Sequence, residues 1–129
     1  MTRIINSLAE VAHFYDALLV DLWGCLHHGV VAFPDAVAAL QAYKAQGGIV
    51  LLLTNSPRPK ANVVKQLAHF GVPTDAYDDI VSSGDAAQIA MASGMVGRKV
   101  YHLGPERDLS FFSDESGPID VERVPLNQA

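Results

Sequence analysis

The sequence predicts the α/β class: a parallel β-sheet wound by helices, with ligands held beyond the strand ends. Three observations predict it. Two continuous apolar runs, ALLVDLW (17–23) and IVLLLTN (49–55), have the length and make-up of strands buried on both faces. A helical segment follows each run, and the alternation continues through DDIVSS (78–83). Strand, helix, strand, helix with short connections implies a doubly wound parallel sheet, covered on both faces.

The elements follow in order. Ser7-Leu-Ala-Glu10 has capping-box spacing, so a short helix is expected to begin after Ser7 and run to about Tyr15. The first strand comes next, and then a loop containing Gly and His that runs to about Phe33. Pro34-Asp35 opens a helix through AVAALQAYKAQ, and Gly47-Gly48 stop it. After the second strand, PRPKANVVKQLAHF reads as a helix with Val63, Val64, Leu67 and Phe70 on one side, closed by Gly71. DDIVSS is the third strand, and Asp85–Ala92 a helix led in by Ser83-Gly84. KVYHLG (99–104) is expected as a fourth strand, 108–112 as a short helix and IDVERV (119–124) as a last strand.

Composition narrows the function classes. The 129 residues amount to one domain, half of them apolar and 18% charged, as in folded globular chains. A formal charge of -5 argues against a nucleic-acid or anionic-membrane partner, which would want a basic face. A small phosphorylated molecule stays open, because a few local groups can bind one. Cys25 is the only cysteine, so the chain forms no internal disulfide, and a reducing, cytoplasmic setting is expected. The N-terminal stretch has acidic residues inside its apolar part and no uninterrupted signal-like core. No window reaches the length of a membrane span.

In an open parallel sheet, ligands sit beyond the carboxyl ends of the strands. There the sequence places Asp21, then Thr54-Asn55-Ser56, then Ser82-Ser83-Gly84, then Gly104-Pro105. One carboxylate thus stands among hydroxyls and amides that lead into helix N-termini, which attract anions. An Asp can attack a phosphoryl group or an activated carbon. A divalent cation normally bridges it to a phosphate. As a bland alternative, a strand-end Asp is an ordinary turn former.

These residues carry a resemblance. VDLWGCL resembles the first motif of the haloacid dehalogenase superfamily: an apolar strand, a nucleophilic Asp, one variable residue, usually a second Asp, then Gly. LLLTNSPRP resembles its second motif, in which a Thr or Ser ends the next strand and binds the transferred group. TNSPRP, IVSSGDAAQIA and VYHLGPERDL together look like the class IIA branch, which includes nitrophenyl-phosphatase-like and pyridoxal-phosphatase-like enzymes. The likeness runs from Leu8 to about Gly117. It implies a Rossmann-like core and a Mg2+-dependent phosphatase acting on a small phosphorylated metabolite through an aspartyl-phosphate. Asp21 would be nucleophile and metal ligand, and the Trp23 main-chain carbonyl a second metal ligand. Thr54, Asn55, Ser56 and Arg58 would bind the phosphate, although Arg58 equally suits a cap on its own turn.

Two departures stand out. Family phosphatases generally have Asp where this chain has Trp23, and an indole cannot act as a general acid or base. The family's dehalogenases carry an aromatic residue there. That leaves open a metal-independent carbon–halogen hydrolase using Asp21, and a catalytically impaired binding protein. The family also needs a Lys and a later acidic pair. Lys99 and Asp78-Asp79 stand at the entry ends of their strands, the wrong edge for reaching Asp21. The expectation is therefore the N-terminal part of such a core, lacking cap and later strands, inactive alone. Its first strand would be unpaired along one edge, open to a homo-oligomer. A receiver-type phosphoacceptor domain fits less well, since it wants an acidic pair ending its first strand and a late Lys.

Three further residues or pairs receive bland readings. His27-His28 are read as a loop pair and not as metal ligands, since no third ligand is evident. Cys25 is read as a small, half-buried residue, and Ser82 and Ser83 as N-cap and turn residues.

Overall fold

The computed structural model describes residues 4–114 and 117–129. The chain divides into two compact units, residues 1–54 with 60–81 and residues 55–59 with 82–129.

The first unit contains β1 (Ala17–Asp21), α1 (Pro34–Ala45), β2 (Ile49–Thr54), α2 (Lys60–Phe70) and most of β3 (Asp79–Ser82). The sheet order is β1-β2-β3, and β1 runs parallel to β2 with Asp21 level with Leu53. Parallel crossovers are right-handed almost without exception, and the order does not reverse, so α1 and α2 fall on the same face. The core confirms this: Val37, Leu40 and Tyr43 of α1 and Val63 and Leu67 of α2 pack with Val50, Leu52 and Ile80 of the sheet.

The expectation that these strands are buried on both faces is corrected. Alternate residues of the other face are exposed, with Leu19 at 69%, and Ile49, Leu53 and Val81 also open. An apolar run cannot report that one of its sides stays open among the described residues. β1 has a single neighbour among the described residues, as the unpaired-edge expectation held.

Other boundaries also shift. The N-terminal helix is two 3-10 turns, Leu8–Glu10 and Ala12–Phe14, and Ser7 makes no side-chain cap. Glu10 reaches past Ser7 to accept the Asn6 N–H at 2.7 Å, so only half of a capping box forms, one residue out of register. β1 ends at Asp21 and leaves Leu22 and Trp23 to a turn.

At the entry to β3, Asp78 accepts the Val50 N–H at 2.7 Å and pairs with Lys44 of α1 at 2.8 Å. Hydrogen bonding from Lys44 and Val50 holds its carboxyl below the usual carboxylate range. Asp79 pairs with Lys60 of α2. Both acids therefore tie the helices to the strand entry, the edge to which the sequence assigned them.

The second unit contains α3 (Ser83–Ala92), capped by Ser82, whose Oγ accepts the Asp85 N–H at 3.1 Å. Its strands are short: β4 (Lys99–Val100) pairs with β7 (Glu122–Arg123), and β5 (Ser113–Asp114) with β6 (Gly117–Pro118). The expected fourth strand over 99–104 is thus cut to two residues and lies outside the β1-β2-β3 sheet, so Gly104-Pro105 do not end one of its strands. The last strand shrinks likewise, while the helix expected at 108–112 is a 3-10 helix over Glu106–Phe112. Gln88 fastens α3 to this segment, donating to the Phe111 and Ser113 carbonyls at 2.7 and 3.0 Å. Among the described residues, no helix is long and apolar enough to cross a membrane.

Candidate active site

Asp21 is the last residue of β1 and is exposed. Its Oδ1 accepts the N–H of Leu22 at 2.8 Å. That bond fixes the carboxylate on the turn and leaves Oδ2 with no hydrogen-bond partner among the described residues. Leu22 is buried and anchors the turn, because its carbonyl accepts from both Leu26 and His27, at 2.9 and 3.1 Å. A carboxylate is thus presented to solvent from a fastened backbone, the arrangement a nucleophile needs.

Thr54 ends β2 one residue beyond the level of Asp21, and it is buried, at 7% exposure. Strand alternation assigns Asp21 to the face of Ala17 and Leu19, and Thr54 to the face of Val50 and Leu52. The space the two residues share is therefore the rim beyond the strand ends, not either face of the sheet.

The flap after Asp21 is ordered by contacts the sequence did not reveal. His27, read with His28 as a loop pair, is 2% exposed; His28 is exposed. His27 Nδ1 accepts the Gly29 N–H at 3.0 Å, and its ring lies 4.9 Å from that of Phe70 and 5.9 Å from that of Trp23. Burial, followed by the charge of His28, pushes its pKa below the usual imidazole value, and Asp21 opposes the shift. The Ala32 N–H donates to the Phe70 carbonyl at 2.9 Å, tying the flap to the end of α2. A signal for this lay in the apolar Leu26 beside His27, but two adjacent histidines read alike until a partner buries one. Cys25, expected half-buried, is exposed.

Among the described residues no group of three His, Cys, Asp or Glu side chains could hold a metal ion. Candidate donors are the Asp21 carboxylate and the Trp23 carbonyl, which receives no backbone hydrogen bond among the described residues. One carboxylate and one carbonyl are hard oxygen donors that fit Mg2+, which keeps several waters and takes substrate phosphate as further ligand.

Asn55–Pro59 belongs to the second unit and is described there. Asn55 and Arg58 are exposed, and Ser56 Oγ accepts the Arg58 N–H at 3.2 Å. The Ser56 carbonyl accepts the Gly84 N–H at 3.1 Å. Two amides at the start of α3, those of Gly84 and Asp85, are thus already engaged. The reading of Ser82 as an N-cap residue agrees with this arrangement.

A solvent-facing carboxylate at the carboxyl edge of a parallel sheet, on a turn that holds it fixed, defines an α/β protein with a candidate nucleophile at its ligand-binding edge. The chain belongs to the haloacid dehalogenase-like hydrolases: that family's pattern matches residues 18–116. It is similar to the crystal structure of a hydrolase of the haloacid dehalogenase-like family from Brucella suis 1330, with 40% identity and a TM-score of 0.83. The likeness covers 98% of this chain and 46% of that one, so the chain spans about half the length of its relative. No curated protein matches it.

Proposed function

We propose that this chain carries the nucleophile of a Mg2+-dependent phosphatase of the class IIA branch, acting on a small phosphorylated metabolite in the cytoplasm. The observation that supports it is Asp21, exposed at the end of β1 with Oδ1 held by the Leu22 N–H. Oδ2 attacks phosphorus, the bond to the leaving oxygen breaks, and an aspartyl-phosphate forms that water then cleaves. Thr54, and Asn55, Ser56 and Arg58 after it in the chain, bind the phosphate. Mg2+ held by Asp21 and the Trp23 carbonyl would offset the repulsion between carboxylate and phosphate. The remaining catalytic groups come from residues other than these 129, which alone turn over no substrate.

In the complete protein, Asp21→Asn should lower Mg2+-dependent hydrolysis of an aryl phosphate by at least about 10,000-fold. It should also abolish protein-bound phosphate after rapid acid quench. Turnover near wild type would rule Asp21 out as the nucleophile.

Trp23 favours one second reading. An indole beside the nucleophile suits loss of halide, which needs no proton, so Asp21 could displace halide from carbon without metal. Halide release from a haloacid in the presence of a chelator separates this reading from the first.

A further inference from the structure

Trp23 is the only tryptophan of the chain, and it is 64% exposed on the turn directly after the nucleophile. Tryptophan buries most of its surface on average, and this one turns a broad apolar ring to solvent. The side chain is nevertheless held in place. A Cβ on Gly29 would lie 2.8 Å from Trp23 Cζ2 and 2.9 Å from Cη2, so the indole rests directly on the Gly29 backbone. Gly29 has φ +89°, a conformation that also favours glycine. The buried His27 ring meets the indole edge-on at 63° and 5.9 Å, and the Gly24 N–H donates to the His27 carbonyl at 2.9 Å. An exposed aromatic surface, braced by Gly29 and His27, thus belongs to a residue whose Cα lies within about 7 Å of the Asp21 Cα, the greatest span two residues allow.

We infer that Trp23 is the platform on which a planar aromatic leaving group stacks while Asp21 attacks the phosphorus it is bonded to; this rests on the phosphatase reading above. Its substrate class is therefore aryl phosphates and not alkyl phosphates. Leaving-group chemistry agrees. Loop residues 22–26 hold no carboxylate or lysine to protonate a departing oxygen. A phenol-type oxygen, with a pKa of about 10, departs far more readily unprotonated than an alkoxide, whose conjugate acid is as weak an acid as water. As the bond from Asp21 Oδ2 to phosphorus forms, the aryl oxygen–phosphorus bond breaks. Its electron pair stays on the aryl oxygen, and the phenolate takes a proton from water.

Trp23 is the sole tryptophan of these 129 residues, so the fluorescence change that Trp23→Phe removes reports the contact without turnover. The test titrates the complete protein, with Mg2+ present, with benzylphosphonate and with propylphosphonate, neither of which can be hydrolysed. Benzylphosphonate should change the fluorescence saturably and bind roughly tenfold more tightly than propylphosphonate. By calorimetry, Trp23→Phe should keep that preference and Trp23→Leu should lose it, with circular dichroism confirming that the Leu variant is folded. Should Trp23→Leu fail to fold, the wild-type comparison and the Phe variant decide. Equal affinity for the two phosphonates in the wild type, or a preference that survives in Trp23→Leu, overturns the platform alone. Binding of neither overturns both the platform and the phosphatase reading beneath it.

Discussion

The imidazole of His27 accepts the Gly29 N–H on Nδ1, so its own proton is assigned to Nε2. Protonating Nδ1 would remove that acceptor and place a charge in a buried site. The folded-state pKa is lowered, so between it and the unfolded value of about 6.5 the unfolded chain binds more protons. His27 therefore contributes stability in full above pH 6.5, and the contribution is lost as pH falls from there through the folded value. An NMR titration should place the His27 midpoint below 6.5, and His27→Gln should show a smaller loss of melting temperature between pH 7.5 and 5. The place of Asp21 at a strand end was legible in the sequence, because a lone acid there closes an apolar run. His27 was not, because its burial depends on Phe70, which is distant in sequence and near only after α2 has packed.

At the scale of elements, apolar runs and glycine stops marked α1, β2 and α2 to within a few residues, since these elements pack against one another and their burial shows in their spacing. KVYHLG has the same local signature, yet forms only two strand residues, because its partner is Glu122–Arg123 and not β3. Local sequence specifies a tendency to pair and leaves the partner open. The turn after β2 shows what tertiary contact adds. Gly84 lies in the first turn of α3, where alanine would be favoured over glycine by about 1 kcal/mol. A Cβ there would stand 2.5 Å from the Pro57 carbonyl oxygen and 2.6 Å from Arg58 backbone atoms, so backbone would have to move. Overpacking of this kind costs about 1–3 kcal/mol, which outweighs the propensity gain. Gly84→Ala should therefore destabilise the protein by up to about 2 kcal/mol in urea unfolding. A stabilised variant would show that the Ser56–Arg58 turn yields freely.

For the whole molecule the sheet itself sets the expectation. With the order β1-β2-β3 and both helices on one face, the chain builds half of a doubly wound layer. The sequence announced the covered half through its apolar runs. It could not announce the open half, because a residue such as Leu19 looks the same whether or not a neighbour covers it. Two unmet demands follow. The outer edge of β1 presents N–H and C=O groups without a strand partner among the described residues, and beside it Leu19, Ile49, Leu53 and Val81 expose apolar surface. An edge strand of this kind, with no charge inside it before Asp21, is a template for another strand. The 129-residue chain by itself should consequently self-associate, a second copy laying its own β1 antiparallel along this edge. Sedimentation velocity over a range of concentrations should show dimers or larger species. Leu19→Lys, which places a charge in the middle of the strand, should shift them toward monomer while leaving the α1 and α2 core intact by circular dichroism. A wild-type chain that stays monomeric at high concentration, with the β1 amides protected from hydrogen exchange, would mean that the edge is already covered from within the chain.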